Sequence, residues 1–326
     1  ATLDMLRAEM HNVDNVLPIL ITECGSLQNG RQAADNWLRV LAWNAFLTKT
    51  MQRPDQIALF VPFVFLHMPW NPSSGDAVFT PKEDRQQHLT IDDFHVTSIA
   101  KFFELWRNFD GRRLPVTYDR NWLDVVAVHR NNKISLAVTN MGGRQLLLDL
   151  STILQQYPKV SARQTRLNYH GGDLIFQPDQ PVTINAIPVD VNETTVVHLA
   201  TTKSIQPTHG VHQNRYYAGK TAVKSTGKPI SFKIETPEGA STTQAQLVIG
   251  VHRTGGLNAT IRTTINKAPV TIDVGDAAEF TDFFAPLTAS VPTSAIQENN
   301  TITVTAQPGT TITSVQLVIT STPTSL

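Results

Sequence analysis

The chain has 326 residues, of which 41% are hydrophobic and 17% are charged, a composition typical of a folded protein with two or three domains. Basic and acidic residues number 27 each, so no net charge favours nucleic acid or an anionic membrane, and the longest apolar run, residues 57–66, is too short to span a bilayer. The single cysteine, Cys24, excludes an internal disulfide framework and a cysteine-based metal site.

The first 111 residues are predicted to alternate helices with strands. The order is helix, strand, helix, strand, helix over residues 3–11, 17–25, 31–51, 56–66 and 90–109. Strands that alternate with helices indicate βα units with parallel strands. The first strand is apolar until it ends in Thr22 and Glu23, followed by Cys24 and Gly25. A carboxylate at the end of a buried parallel strand is typical of (β/α)₈ active sites.

Two βα units cannot form a domain alone, because both sheet edges stay unpaired and a barrel needs eight such units. We therefore expect the other units to come from an upstream segment or from a separate polypeptide that completes the barrel.

Beyond residue 112 the pattern changes to short strands separated by turn residues. Strands are predicted over residues 122–130, 133–140, 144–150, 162–169, 173–177, 182–187 and 194–200, and then over 230–235, 245–252, 259–265, 270–274, 301–305 and 313–320. The fold class predicted is α/β plus all-β, with part of a barrel followed by two antiparallel β-sandwiches. The predicted domains are residues 1–111, 112–204 and 205–326.

Several short motifs, in this order of helices and strands, resemble those of a known enzyme family. They are the strand end at residues 21–25, Arg53-Pro54-Asp55 before Val61-Pro62-Phe63, Trp70 after the second strand, and the helix end at residues 106–111. With two sandwiches behind them, they resemble the seventh and eighth strands of a clan A glycoside hydrolase barrel. More narrowly, the chain resembles the agarases and porphyranases of glycoside hydrolase family 86.

The resemblance implies that Glu23 is the nucleophile of a retaining glycosidase. Such a mechanism needs a second carboxyl group about 5 to 5.5 Å away as acid and base. In the family that glutamate follows an asparagine on strand four, and the one Asn-Glu pair here, Asn192-Glu193, lies between sandwich strands. No acid/base residue is therefore assigned, and Glu23 alone is not expected to hydrolyse a glycoside.

Several other candidate site residues each allow a functional and a structural interpretation. By the same resemblance Trp70 is a platform on which a sugar ring stacks, and the alternative is a core tryptophan that anchors a loop. His67 could hydrogen-bond a sugar hydroxyl or the nucleophile, or be a buried structural histidine. Asn71 and Asp76 lie in the long loop after the second strand, where a substrate subsite competes with a simple solvated loop. Cys24 is read as a small apolar neighbour of Glu23.

A possible sugar-binding face on the last sandwich is formed by Tyr216, Tyr217, His252 and Arg253, although packing explains these residues more simply. No pattern of metal ligands is present, and no cofactor is expected.

The leading hypothesis is a secreted or periplasmic bacterial hydrolase that cuts agarose or porphyran internally by double displacement. One alternative is another clan A glycosidase of xylosidase or glucanase type. The other is a polysaccharide-binding or structural module whose working part is the sandwiches.

Overall fold

The structure is a computed structural model, and it describes residues 2–25, 30–67, 76–82, 90–116, 118, 122–157, 159–205, 212–237, 242–257, 260–272, 274 and 282–321. The chain divides into two compact units. The central unit comprises residues 18–206, and the terminal unit comprises residues 1–17 together with 207–326.

The described elements run as follows. The helices are α1 (Thr2–Asn12), α2 (Ala33–Met51), α3 (Lys101–Trp106) and α4 (Thr152–Gln156). The strands of the central unit are β1 (Ile19–Cys24), β2 (Ile57–Pro62), β3 (Phe79–Pro81), β4 (Phe94–Val96), β5 (Arg112–Leu114), β6 (Leu123–Arg130), β7 (Lys133–Asn140), β8 (Leu146–Leu148), β9 (Val160–His170), β10 (Asp173–Pro181), β11 (Ile187–Val189) and β12 (Thr194–Thr201). Those of the terminal unit are β13 (His212–Tyr217), β14 (Val223–Lys224), β15 (Ile230–Glu235), β16 (Thr242–Thr254), β17 (Arg262–Ile265), β18 (Ala268–Thr271), β19 (Asp282–Val291), β20 (Asn299–Thr305) and β21 (Thr311–Ser321).

The predicted βα unit with parallel strands is confirmed. Strands β1 and β2 pair in parallel, with Ile19 opposite Ile57, and α2 connects them. At the start of α2 the Asp35 carboxylate accepts a hydrogen bond of 3.1 Å from the backbone of Gln32. The helix ends just before Pro54, which cannot continue it.

The helix predicted over residues 90–109 is mostly wrong. Thr90 donates its backbone N–H and its hydroxyl to the Asp93 carboxylate at 2.7 and 2.9 Å, which closes a 3₁₀ turn at Ile91–Asp93. Strand β4 then pairs with β3, and only Lys101–Trp106 is α-helical. Side chains such as those of Thr90 and Asp93 offer the backbone local hydrogen bonds that compete with a helix.

A six-stranded antiparallel sheet forms the middle of the central unit, in the order β10-β9-β12-β7-β6-β5. Helices α2 and α3 cover one face through a core made of Trp37, Val40, Leu41, Trp43, Ile99, Phe102, Leu105, Val126, Ala137, Leu167 and Val196. The short pair β8–β11 contributes Ile187 and Val189 to a second core with strand residues such as Val138 and Val197. Residues on both sides of position 112, from Trp37 to Val196, thus share one core, and the predicted domain boundary at residue 112 stays a prediction.

Polar contacts also join α2 to this sheet. Lys49 forms an ion pair with Asp124 on β6, and the hydroxyls of Thr48 and Thr139 lie 3.1 Å apart. One turn before Thr48, the Asn44 side chain accepts a hydrogen bond of 2.7 Å from the Trp106 indole. These contacts fix the rotation of α2 about its axis as well as its position on the sheet.

The terminal unit contains two antiparallel sheets. Strands β13, β21, β16 and β19 form one, with β14 also paired to β21, and β15, β20, β17 and β18 form the other. Helix α1 packs on the first sheet, because the buried Asp4 accepts a hydrogen bond of 2.7 Å from Gln316 and the His11 ring stacks on Tyr217 at 5.2 Å. Residues 2–12 therefore belong structurally with the C-terminal strands.

Most predicted strands are observed, but the strand predicted over residues 182–187 is shifted to Ile187–Val189. The observed strands β3, β4, β5, β13, β14 and β19 have no predicted counterpart. Strand β13 is polar along most of its length, and β19 contains Pro286, so neither has the expected pattern. None of the described helices has the length and apolar character needed to cross a membrane.

Replacing Trp43 tests the shared core between α2 and the sheet. Trp43 is 1% exposed and contacts Phe102 edge to face at 5.3 Å. We expect Trp43→Ala to lower the free energy of unfolding by about 3 to 5 kcal/mol in chemical denaturation followed by circular dichroism. The control Leu38→Ala, on an exposed position of the same helix, should change it by about 1 kcal/mol or less. Equal losses would contradict this packing.

The lowered pKa of His198 leads us to expect that the folded protein loses stability in acid. Burial, with help from Lys133, lowers the pKa of His198 from 6.5 to about 4, and its Nδ1 lies 2.9 Å from the Ser135 hydroxyl. Below pH 6.5 the unfolded chain binds the proton and the folded chain does not, so stability is complete above pH 6.5 and falls as the pH drops toward 4. In denaturation between pH 7 and 4, His198→Gln should flatten this slope; an unchanged slope would show that another group causes it.

Candidate functional site

The candidate site lies at the carboxyl ends of β1 and β2. Glu23 is the fifth residue of β1 and is exposed. The carbonyl of Cys24 accepts a hydrogen bond of 2.8 Å from Phe63, just beyond β2. The chain then runs beside β3, where the His67 N–H donates to the Phe79 carbonyl at 2.9 Å. Glu23, near the end of β1, and His67, which follows β2, therefore lie at or just beyond the carboxyl ends of two neighbouring parallel strands.

Cys24 is chemically quiet. Its side chain is buried, and burial raises the pKa of the thiol to about 11. Cys24 therefore stays protonated at neutral pH, whereas nucleophilic attack by a cysteine needs the thiolate. This agrees with its reading as a small apolar neighbour.

Gly25 allows the two strand ends to approach each other. A Cβ atom built on Gly25 would lie 2.7 Å from the carbonyl oxygen of Phe63, closer than atoms can pack. The close approach holds the backbone next to Glu23 against the segment that follows β2. Only glycine fits there without moving one of the strand ends.

Two nearly buried polar residues flank residues 68–75, which lie outside the described structure. His67 is 7% exposed, and Asp76 is 9% exposed. The Asp76 carboxylate accepts a hydrogen bond of 2.9 Å from Asn36, and Arg39 donates to the Asp76 carbonyl. Asp76 is therefore held against α2 and does not face solvent as a subsite residue would. Trp70 and Asn71 lie outside the described residues.

Apolar side chains are exposed along the same two strands. Leu20, Leu59, Val61 and Phe63 are 59%, 44%, 37% and 38% exposed. A parallel sheet is normally covered on both faces and paired at its edges. The exposed apolar surface is the kind that further strands of a sheet would bury.

Glu193, the glutamate of the Asn-Glu pair, has a structural role. It is fully buried, and its carboxylate accepts hydrogen bonds from the Arg166 guanidinium at 2.8 Å and from the Asp190 backbone at 3.1 Å. Asn192 has φ +58°, which suits the tight turn between β11 and β12. This pair is not an acid/base site. In the part of the chain that is described, no three His, Cys, Asp or Glu side chains are grouped as metal ligands.

Comparisons with known proteins agree with this architecture. A family model described as beta porphyranase A C-terminal matches residues 231–320. The β-porphyranase A of Phocaeicola plebeius is 25% identical over 257 residues, which cover 74% of this chain and 35% of the relative. A solved β-porphyranase of glycoside hydrolase family 86 from the human gut bacterium Bacteroides plebeius has a TM-score of 0.82 at 21% identity, and the match covers 99% of this chain and 60% of that one.

Over nearly its whole length the chain is similar to the C-terminal part of glycoside hydrolase family 86 enzymes. The resemblance inferred from the motifs is thus confirmed. A second family 86 structure, BuGH86 in complex with neoagarooctaose, has a TM-score of 0.82 at 19% identity and covers 100% of this chain and 55% of that one. The chain spans about a third of the curated porphyranase and somewhat more than half of the solved enzymes.

The close approach at Gly25 makes a testable site. We expect Gly25→Ala to lower the free energy of unfolding by about 1 to 3 kcal/mol, because the added methyl group pushes β1 away from Phe63. A control is Gly219→Ala, where the nearest atom to an added Cβ is a flexible Asn12 side-chain oxygen at 3.5 Å. Chemical denaturation of both variants measures the difference, and an unaffected Gly25→Ala protein would contradict the described contact.

Proposed function

We propose that this chain is the part of an endo-acting hydrolase of red-algal galactans that carries the catalytic nucleophile, Glu23. The observation that carries the proposal is the exposed carboxylate of Glu23 at the carboxyl end of a parallel strand. In (β/α)₈ enzymes the chemistry lies at that end of the strands. The relatives add the substrate class, since they are named as porphyranase or were solved with an agarose oligosaccharide.

The proposed reaction is a double displacement. A Glu23 oxygen attacks the anomeric carbon while a carboxylic acid protonates the departing glycosidic oxygen, which gives a covalent glycosyl ester. The same acid, now a carboxylate, then removes a proton from water, and the hydroxide releases the sugar and restores Glu23. The acid/base residue belongs to a barrel segment other than the strands described for this chain.

Completion of a barrel is part of the proposal. Residues 18–111 would supply its seventh and eighth strands, and the two β-rich regions after residue 112 would be the sandwiches that follow. The exposed Leu20, Leu59 and Val61 support this assignment, because six further βα units would bury them. The partner is either an upstream segment or a complementary chain.

Three residues are proposed to bind the sugar. Trp70 would stack on a pyranose ring, and Asn71 would hydrogen-bond a hydroxyl from the same loop. His67, nearly buried at the foot of that loop, would hydrogen-bond a sugar hydroxyl or Glu23. A secreted or periplasmic location follows from the substrate, since a polysaccharide does not cross a membrane unaided.

Reconstitution with the upstream portion tests the nucleophile. We expect Glu23→Gln to lower kcat on the preferred galactan by roughly 1,000-fold or more, measured as new reducing ends on agarose, porphyran and xylan. The control Cys24→Ala removes the neighbouring thiol and should keep kcat within about threefold, because the protonated thiol takes no part.

Chemical rescue distinguishes a nucleophile from a structural glutamate. Added azide should restore turnover in Glu23→Gly and give a glycosyl azide of inverted anomeric configuration. Full activity of Glu23→Gln would refute the proposal. Cleavage of xylan in preference to both galactans would favour another clan A glycosidase and refute the galactan assignment.

A further inference from the structure

The terminal unit contains a cleft far along the chain from Glu23. Its volume is about 480 Å³, and it lies between β13, the end of β15, β21 and the loop of residues 293–298. The lining includes Tyr216, Thr236, Ile296, Gln297, Glu298 and Ile319. This volume falls within the range of sites that hold small ligands, roughly 300 to 1,000 Å³.

The loop that forms one wall is held by a buried asparagine. The Asn300 side chain is 2% exposed, donates to the Gln297 carbonyl at 2.6 Å and accepts from the Gln297 N–H at 2.9 Å. Asn266 donates to the Asn300 side-chain oxygen at 3.0 Å, and the Thr236 hydroxyl donates to the Gln297 carbonyl at 2.8 Å. The three bonds that reach Gln297 use its backbone N–H and carbonyl, so they do not depend on its side chain.

The ordered loop that forms this wall favours ligand binding. A site that is ordered before a ligand arrives avoids the entropic cost of ordering a loop on association. The geometry of residues 297–300 therefore favours a site that exists in the free protein.

The lining combines an apolar floor with a polar rim. Tyr216 is half-buried beside Ile296 and the buried Ile319, while Gln297 and Glu298 are exposed. Burial raises the pKa of the Tyr216 phenol, while its side-chain hydrogen bond with Asn214 acts in the opposite direction. An aromatic ring with apolar neighbours suits the C–H face of a pyranose, and amide and hydroxyl groups at the rim suit its hydroxyls.

The charge of the lining residues favours uncharged over sulfated sugars. Among the described residues that line the cleft, Glu298 is the acidic one, and none is a lysine or arginine. A sulfate ester would meet a carboxylate without a compensating cation, which is unfavourable. The cleft therefore fits an uncharged stretch of chain better than a sulfated one.

We propose that this cleft is a second saccharide-binding site, which holds a neutral oligosaccharide stretch of a galactan. The choice of a galactan rests on the proposed function, whereas the cleft and its preference for an uncharged sugar rest on its own residues. Two sites on one molecule, one for cleavage and one for retention, would raise the time that the enzyme spends on a polymer.

The test is calorimetric titration of the 326-residue chain with neoagarooctaose as the probe. The Glu23→Gln background prevents hydrolysis. We expect Tyr216→Ala to weaken the titrated affinity at least about fivefold, in line with the loss of an aromatic contact. Gln297→Ala should weaken it as well, and this variant keeps every backbone bond of the wall. The matched control is Tyr217→Ala on the same strand, where the ring stacks on His11 outside the lining.

The possible results distinguish failure of the second site from failure of the proposed function. The absence of titratable binding, or binding that neither Tyr216→Ala nor Gln297→Ala changes, would overturn the second site. Tighter Tyr216-dependent binding of a sulfated porphyran oligosaccharide than of neoagarooctaose would overturn its preference for neutral chains. Hydrolysis that depends on Glu23 but not on Tyr216 would leave the proposed function intact when the second site fails. Tyr216-dependent binding without Glu23-dependent hydrolysis would support the cleft and refute the function.

Discussion

The packing of α2 against the six-stranded sheet is the contact on which the central unit depends. The helix joins β1 to β2, so any constraint on the helix also constrains the strand that ends in Glu23. Trp37, Val40 and Trp43 bury one side of it against β6, β7, β9 and β12. Burial of such side chains stabilises by about 1.5 to 3 kcal/mol each, so this face alone resists displacement of the strand pair. In this way a β-rich domain acts as the support for a parallel strand end.

Near Glu23 the polar contacts hold the neighbouring residues in place, while the Glu23 carboxylate itself is exposed. Phe63 bonds the Cys24 carbonyl, Gly25 permits that approach, and Asp76 is held by Asn36 and Arg39. The neighbouring thiol is kept protonated by burial. The proposed role of Glu23 as nucleophile would require a fixed position and no competing nucleophile beside it, and these contacts are consistent with both conditions.

Much of the fold could be predicted because its signals are local. Short strand-like segments separated by turn residues located β6, β7, β12, β15 and β16 to within a few residues, and the parallel pair followed from strands separated by a helix. Errors arose where local side-chain hydrogen bonds or tertiary contacts override the pattern of apolar residues. Thr90 and Asp93 close a turn inside a predicted helix, and the polar β13 becomes a strand because β21 supplies its hydrogen-bond partners.

The sequence alone determined the order of parts, the glutamate at a strand end and the family it resembles, because these depend on residue type and spacing along the chain. Only the tertiary structure decided that α1 packs on the C-terminal sheet through Asp4 and Gln316, that α2 shares a core with the sheet after residue 112, and that Glu193 is a buried partner of Arg166. These facts join residues far apart in sequence, and no local pattern records which distant side chain will complete a core or neutralise a buried charge.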